Sequence, residues 1–213
     1  FRMSSCDTLL HTFTSITELL RIEELFDEQR PIELEIGCGD GGFLLGYAQA
    51  NPDRNFIGVE RLLGRVRKLD KKGRRDNLQN LCLLRIEARY LIKHLLPEHR
   101  MEAIHVYFPD PWPKDRHARH RLIDGEFPGH TVRLLKPGGV IHLRTDDMPY
   151  FEQMQTVFRA HGGFELESTP TDLAACVTEF EADFNAQGKP THSASWRLYA
   201  HCCPGDAYAI NSL

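Results

Sequence analysis

Six cysteines (Cys6, Cys38, Cys82, Cys176, Cys202 and Cys203) are spread over the 213 residues without one CxxC pair. That absence removes the spacing of zinc ribbons and dithiol redox centres. Several of the cysteines lie in apolar runs or beside glycines, where a reduced thiol packs as a small hydrophobe, so a reducing cytoplasm is expected. No apolar run approaches the ~20 residues that cross a bilayer, and no membrane association is expected. The opening FRMSSCDTLL lacks the basic end, apolar core and small-residue cleavage site of a signal peptide. Internal repeats and low-complexity linkers are missing as well. With 41% hydrophobic and 26% charged residues, an ordinary single domain over residues 1–213 is the default.

The net charge of −4 gives no general attraction to polyanions, but the charge is unevenly placed. Residues 61–75 hold Arg61, Arg65, Arg67, Lys68, Lys71, Lys72, Arg74 and Arg75 against Asp70 alone, a local balance of +7. Residues 145–213 carry ten acids against Arg159, Lys189 and Arg197, a balance of −7. Only the basic side is suited to nucleic acid. Helix 61–76 reads equally as a solvated face or as a track for a phosphate backbone.

Ser15 and Glu18 have capping-box spacing and predict a helix to about Gln29, so residues 1–30 are read as an N-terminal helical extension. Beyond Pro31, short apolar runs alternate with helical patterns. Strands are expected at 32–36, 56–59, 81–86, 103–108, 139–145 and 164–169, with helices at 42–50, 61–76, 88–95, near 120–135 and at 148–161. Such alternation implies right-handed crossovers and a doubly wound, mostly parallel α/β sheet, seven-stranded, with its last strand, SWRLYAH, antiparallel. The acidic stretch 170–193 breaks the pattern and reads as an irregular, substrate-specific insertion.

LEIGCGDGG satisfies the dinucleotide fingerprint through Gly37, Gly39 and Gly42, with Glu60 placed to hold a ribose, so a nicotinamide enzyme is one reading. A carboxylate just before the glycines, Glu35, has little use beside a pyrophosphate. It suits the ammonium of S-adenosyl-L-methionine, with Glu60 on the ribose hydroxyls and Glu87 on the adenine amine. These three acids follow successive strands, where ligands of open α/β sheets bind.

The segment VYFPDPWPKDRH sets Asp110 between two prolines at the end of a strand. Each proline fixes its own φ and pushes its predecessor out of the helical region, so the carboxylate is aimed. Behind it stand Lys114, Arg116, Arg119 and Arg121 as phosphate-binding candidates, and Trp112 either stacks on a base or packs the loop. His117 and His120 are spaced i, i+3, but no cysteine or acid near them has the spacing that completes a tetrahedral set, so no metal is expected.

LEIGCGDG, GVE, YFPDPWPKDRH, LRTDD and VTEFE, in this order and spacing over most of residues 32–200, resemble the bacterial tRNA (guanine-N7-)-methyltransferase family. The resemblance implies that the sheet is of the Rossmann-like methyltransferase type, and that the chain transfers methyl from S-adenosyl-L-methionine to N7 of guanine-46 in the tRNA variable loop. It implies cofactor positions at Glu35, Gly37, Gly39, Glu60, Glu87 and Asp110, with Asp110 also catalytic. It implies substrate contacts at Lys114, Arg116, Asp146 and the segment from Thr178 to Glu181, and an RNA-facing run from Arg116 to Arg121. The chain departs from the family pattern at Glu87, where Asp or Asn is usual, and at Asp183, where a basic residue is usual. Other readings remain open: a different RNA or amino-group methyltransferase, or a catalytically silent RNA-binding paralogue. Both a monomer and a homodimer fit the sequence.

Overall fold

The computed structural model describes residues 8–112 and 119–200. Contacts divide the chain into two compact units, Phe1–Pro97 and Glu98–Leu213.

In the first unit, β1 (Ile32–Ile36), β2 (Asn55–Val59) and β3 (Leu81–Leu84) lie in the order β3-β2-β1, and both adjacent pairs are parallel. Every residue of these strands is buried, including Glu33 and Glu35, so the alternation in IELEI does not mark a solvent face. An ion pair with Arg54 offsets the burial of Glu33, as a charge in a dry interior requires. Helix α1 (Leu44–Ala50) follows β1. Helix α2 (Leu63–Arg75) buries Val66, Leu69 and Gly73 on one stripe and leaves Arg65, Arg67 and Lys68 in solvent. A side chain at Gly73 would come 2.5 Å from Leu9 Cδ1. The short helix α3 (Ala88–Tyr90) runs into a π-helical turn, Leu91–Leu95.

The helix expected from Ser15 to Gln29 is not formed; only a 3-10 turn, Ile22–Glu24, is present there. Ser15 Oγ accepts from the Thr17 amide at 3.2 Å, closing a local turn in place of a helix cap. The Leu20 amide donates to Leu95 O at 2.7 Å and the Tyr90 hydroxyl to Ile16 O at 2.8 Å, so distant partners satisfy this backbone. The apolar side of the pattern is split: Ile22, Leu25 and Phe26 are buried, whereas Ile16 and Leu19 are more than half exposed. Upstream, Leu10 forms a parallel bridge to Leu83 on the edge of β3.

In the second unit, β4 (Met101–Tyr107), β5 (Leu135–Thr145), β6 (Phe164–Glu167) and β7 (His192–Leu198) lie in the order β4-β5-β7-β6. β4 and β5 are parallel; β7 is antiparallel to both β5 and β6. Among the described residues this makes seven strands, mostly parallel, with an antiparallel last strand, the α/β class expected. β5 begins four residues before the expected 139, past Gly139, where a Cβ would sit 2.9 Å from Lys136 O. One face carries Ile141, Leu143, Ala194 and Trp196 toward α4 (Phe127–Leu134) and α5 (Met148–His161), where Phe158 stacks on Trp196 at 5.5 Å. The other face is polar: His105 and His142 stack at 5.2 Å, His105 Nδ1 meets the Tyr107 hydroxyl at 2.8 Å, and His142 Nδ1 meets Ser195 Oγ at 2.8 Å. Burial, then the neighbouring His105, Arg144 and Arg197, push the His142 pKa down to about 2. The stretch 170–193 is more ordered than expected, with α6 (Thr171–Ala175) and α7 (Glu179–Ala186). Among the described residues no helix is long and apolar enough to cross a membrane.

Candidate active site

In the first unit the loop after β1 uses glycine at Gly37 (φ 79°), Gly39 (φ 57°) and Gly41 (φ 89°). The third requirement therefore falls on Gly41 and not on the Gly42 of the fingerprint. A Cβ at Gly41 would lie 2.3 Å from Leu69 Cδ1, so helix α2 closes on the loop there. The amides of Gly37 and Cys38 both donate to Val59 O, at 2.9 and 3.0 Å, and that of Gly41 to Cys38 O at 3.0 Å. These three amides are engaged by the protein itself and are not turned toward a pyrophosphate, which weighs against the nicotinamide reading.

Two buried carboxylates border this loop. Glu35 is 4% exposed and Glu60 8%. Burial, then the charges of Glu35 and Glu60, drive the Cys38 thiol pKa well upward, so both acids act on one buried group. Glu60 Oε1 accepts from the Leu62 amide at 2.7 Å, and its Oε2 lies 3.8 Å from Arg65 Nη1. Glu87 is exposed and caps α3, accepting from the Arg89 amide at 3.0 Å and the Tyr90 amide at 2.7 Å.

In the second unit Asp110 is exposed just beyond β4, inside a constrained bracket. The prolines on either side are themselves flanked by Phe108 at φ 49° and Trp112 at φ 43°, left-handed conformations rare in bulky residues. The Phe108 amide donates to Arg144 O at 2.8 Å and Arg121 Nε donates to Pro111 O at 2.7 Å, pinning the bracket at both ends. Arg121 also bonds Gln153 and stands 5.0 Å over the Tyr150 ring. These contacts make it a clamp on the loop. Trp112 is tilted against His120 at 5.2 Å, the packing alternative. Lys114 and Arg116, with His117, lie outside the described residues.

Asp146 is half-buried after β5, and Asp147 takes the capping role, accepting from the Tyr150 amide at 2.8 Å. Among the described residues neither Asp110 nor Asp146 has a hydrogen-bond or ion-pair partner for its carboxylate. Thr178 caps α7 through the Glu181 amide at 3.1 Å. Glu181 is 5% exposed and its Oε2 takes Arg144 Nη1 at 3.0 Å.

Arg144 is the site residue that motif reading left without a role. Buried on the polar face of β5, it donates to Cys176 O at 2.8 Å, to Leu173 O and to Glu181, and its guanidinium lies 4.6 Å from the Tyr107 ring centroid. Its carbonyl also holds Phe108, so one residue ties α6 and α7 to the strand ends that carry Asp110 and Asp146. The sequence signal was an arginine inside a strand that is largely apolar, GVIHLRT.

A family model described as "Putative methyltransferase" matches residues 29–194. A tRNA (guanine-N(7)-)-methyltransferase of Nitrosococcus oceani is 35% identical over 170 residues, covering 79% of this chain and 72% of that protein. One from Anaeromyxobacter dehalogenans is 40% identical over 174 residues, covering 78% and 83%. Among solved structures, the 16S rRNA methyltransferase KamB superposes with a TM-score of 0.60 at 17% identity, covering 83% of this chain and 92% of that one. At that identity the likeness is one of fold.

Proposed function

The chain belongs to the tRNA (guanine-N(7)-)-methyltransferase family, and on that premise we propose that it moves a methyl group from S-adenosyl-L-methionine to N7 of guanine-46 in the variable loop of tRNA. The observation that carries the reading is the strained bracket around Asp110, which holds an acid exposed at a strand end at a cost no structural role explains.

The residues of the first unit fit the cofactor. Buried Glu35 suits its ammonium, Glu60 its ribose hydroxyls, and the turn at Gly37 and Gly39 lets the backbone pass close by. Glu87 already accepts two amides, so its adenine contact would use the remaining lone pairs. Held there by Glu35 and Glu60, the cofactor would supply an electrophilic sulfonium methyl group, with the neutral thioether as leaving group. N7 carries no proton, so no general base is needed. Positive charge passes to the purine, and Asp110 and Asp146 accept hydrogen bonds from the guanine N1–H and exocyclic amine while facing that charge. Thr178 and Glu181 present α7 to the substrate, with Arg144 fixing their position. Lys114, Arg116 and the exposed cations of α2 supply phosphate contacts. We place the enzyme in the cytoplasm, with tRNA as its partner.

Incubation with methyl-labelled S-adenosyl-L-methionine and unmodified tRNA, followed by nucleoside analysis, tests the reading. Label in 7-methylguanosine is expected; label in any other nucleoside, or none, refutes it.

A further inference from the structure

Phe180 is the second residue of α7 and remains 53% exposed, unusual for an aromatic next to a buried ion pair. Its ring makes T-shaped contacts with Phe108 at 5.2 Å and Phe184 at 4.5 Å, and Lys189 Nζ stands 4.7 Å over the Phe184 ring. These contacts orient the ring and leave more than half of the residue open. Its backbone is held on both sides, by the Thr178 cap and by the Glu181–Arg144 pair. Phe108, against which it rests, lies two residues before Asp110 and shares the strained bracket.

We propose that Phe180 is the platform on which the target guanine stacks, presented beside Asp110 through the Phe108 contact. The inference rests on the function proposed above and gives one residue of the 178–181 segment a specific task, that of a stacking surface for the reacting base. An oriented exposed ring is the usual means of holding a base drawn out of its strand, because every base has a π-face. A ring face also attracts cations. Since methyl transfer makes the purine positive, stacking on Phe180 strengthens as the reaction proceeds. The residue therefore contributes to kcat as well as to KM.

The test compares wild-type enzyme with Phe180→Leu, Phe180→Tyr and Phe180→Trp, using unmodified tRNA transcript, with S-adenosyl-L-methionine affinity and Tm measured alongside. Phe180→Leu should lose roughly tenfold to a hundredfold in kcat/KM, with kcat itself reduced. The Tyr and Trp variants should stay within about threefold of wild type, and cofactor affinity and Tm should not move. A Leu variant as active as wild type overturns the platform while leaving the function intact. Equal losses in all three variants also overturn it, because they would report packing and not stacking. A wild-type enzyme that does not methylate guanine N7 overturns the function itself, and the platform with it.

Discussion

Replacing Arg144 by methionine perturbs the joint that holds α6 and α7 to the sheet of the second unit. The guanidinium is 3% exposed and binds Leu173 O, Cys176 O and Glu181 over the Tyr107 ring. Charge-assisted bonds are worth about 1.5–3 kcal/mol each, but the desolvation of a buried guanidinium offsets much of that sum. The deciding effect is what stays behind: a Glu181 carboxylate, 5% exposed, without its cation. Removal of one partner of a buried pair costs about 3–5 kcal/mol. At about 2–4 °C per kcal/mol for a chain of this size, Tm should fall by roughly 10 °C. Adding Glu181→Leu removes the stranded charge and should recover half or more of the loss, without restoring methyl transfer. Thermal unfolding followed by circular dichroism, with tRNA methylation on the same samples, reads both effects. A Tm within about 2 °C of wild type for Arg144→Met, or full activity in the double variant, would refute the role given to this arginine.

Asp147→Ala should cost about 1 kcal/mol through the lost cap on α5, whereas Asp146→Ala should leave stability unchanged and reduce methyl transfer; urea unfolding and the tRNA assay separate the two, and the reverse pattern would exchange their roles. His142 is held neutral in the folded protein, with a pKa of about 2 against an unfolded value near 6.5. The unfolded chain binds the proton first, so this contribution is complete above about pH 6.5 and is lost as pH falls toward 2. At pH 4.5 the loss is about 2–3 kcal/mol. His142→Asn should flatten the acid side of the stability curve, and an unchanged slope in denaturant unfolding would contradict the assignment.

The candidate site residues could be named from the sequence because their motifs are local. IELEI, the glycines behind it and the proline-flanked Asp110 carry their meaning within a few residues, and the sheet followed from the alternation of apolar runs. What the sequence could not show depends on contacts far along the chain. Ser15 and Glu18 form a convincing helix start, yet Leu20 is claimed by Leu95 and Tyr90 reaches Ile16, so the segment is held by tertiary bonds. The His105–His142 stack exists only because the register of β4 on β5 sets those residues opposite one another. Thr178 and Glu181 could be placed by motif, but their structural task required knowing that Arg144 points toward them. Likewise the demand for glycine at residue 41 comes from Leu69, on the other side of the loop.

Asp110→Asn, assayed for methyl transfer to tRNA with S-adenosyl-L-methionine affinity measured independently, addresses the central claim most directly. The variant keeps the shape of the bracket while removing the charge and turning one of the two acceptor oxygens into a donor. Turnover should fall by about a hundredfold with cofactor affinity within about threefold of wild type. Turnover close to wild type would mean that the carboxylate held in the bracket takes no part in stabilising the methylated purine.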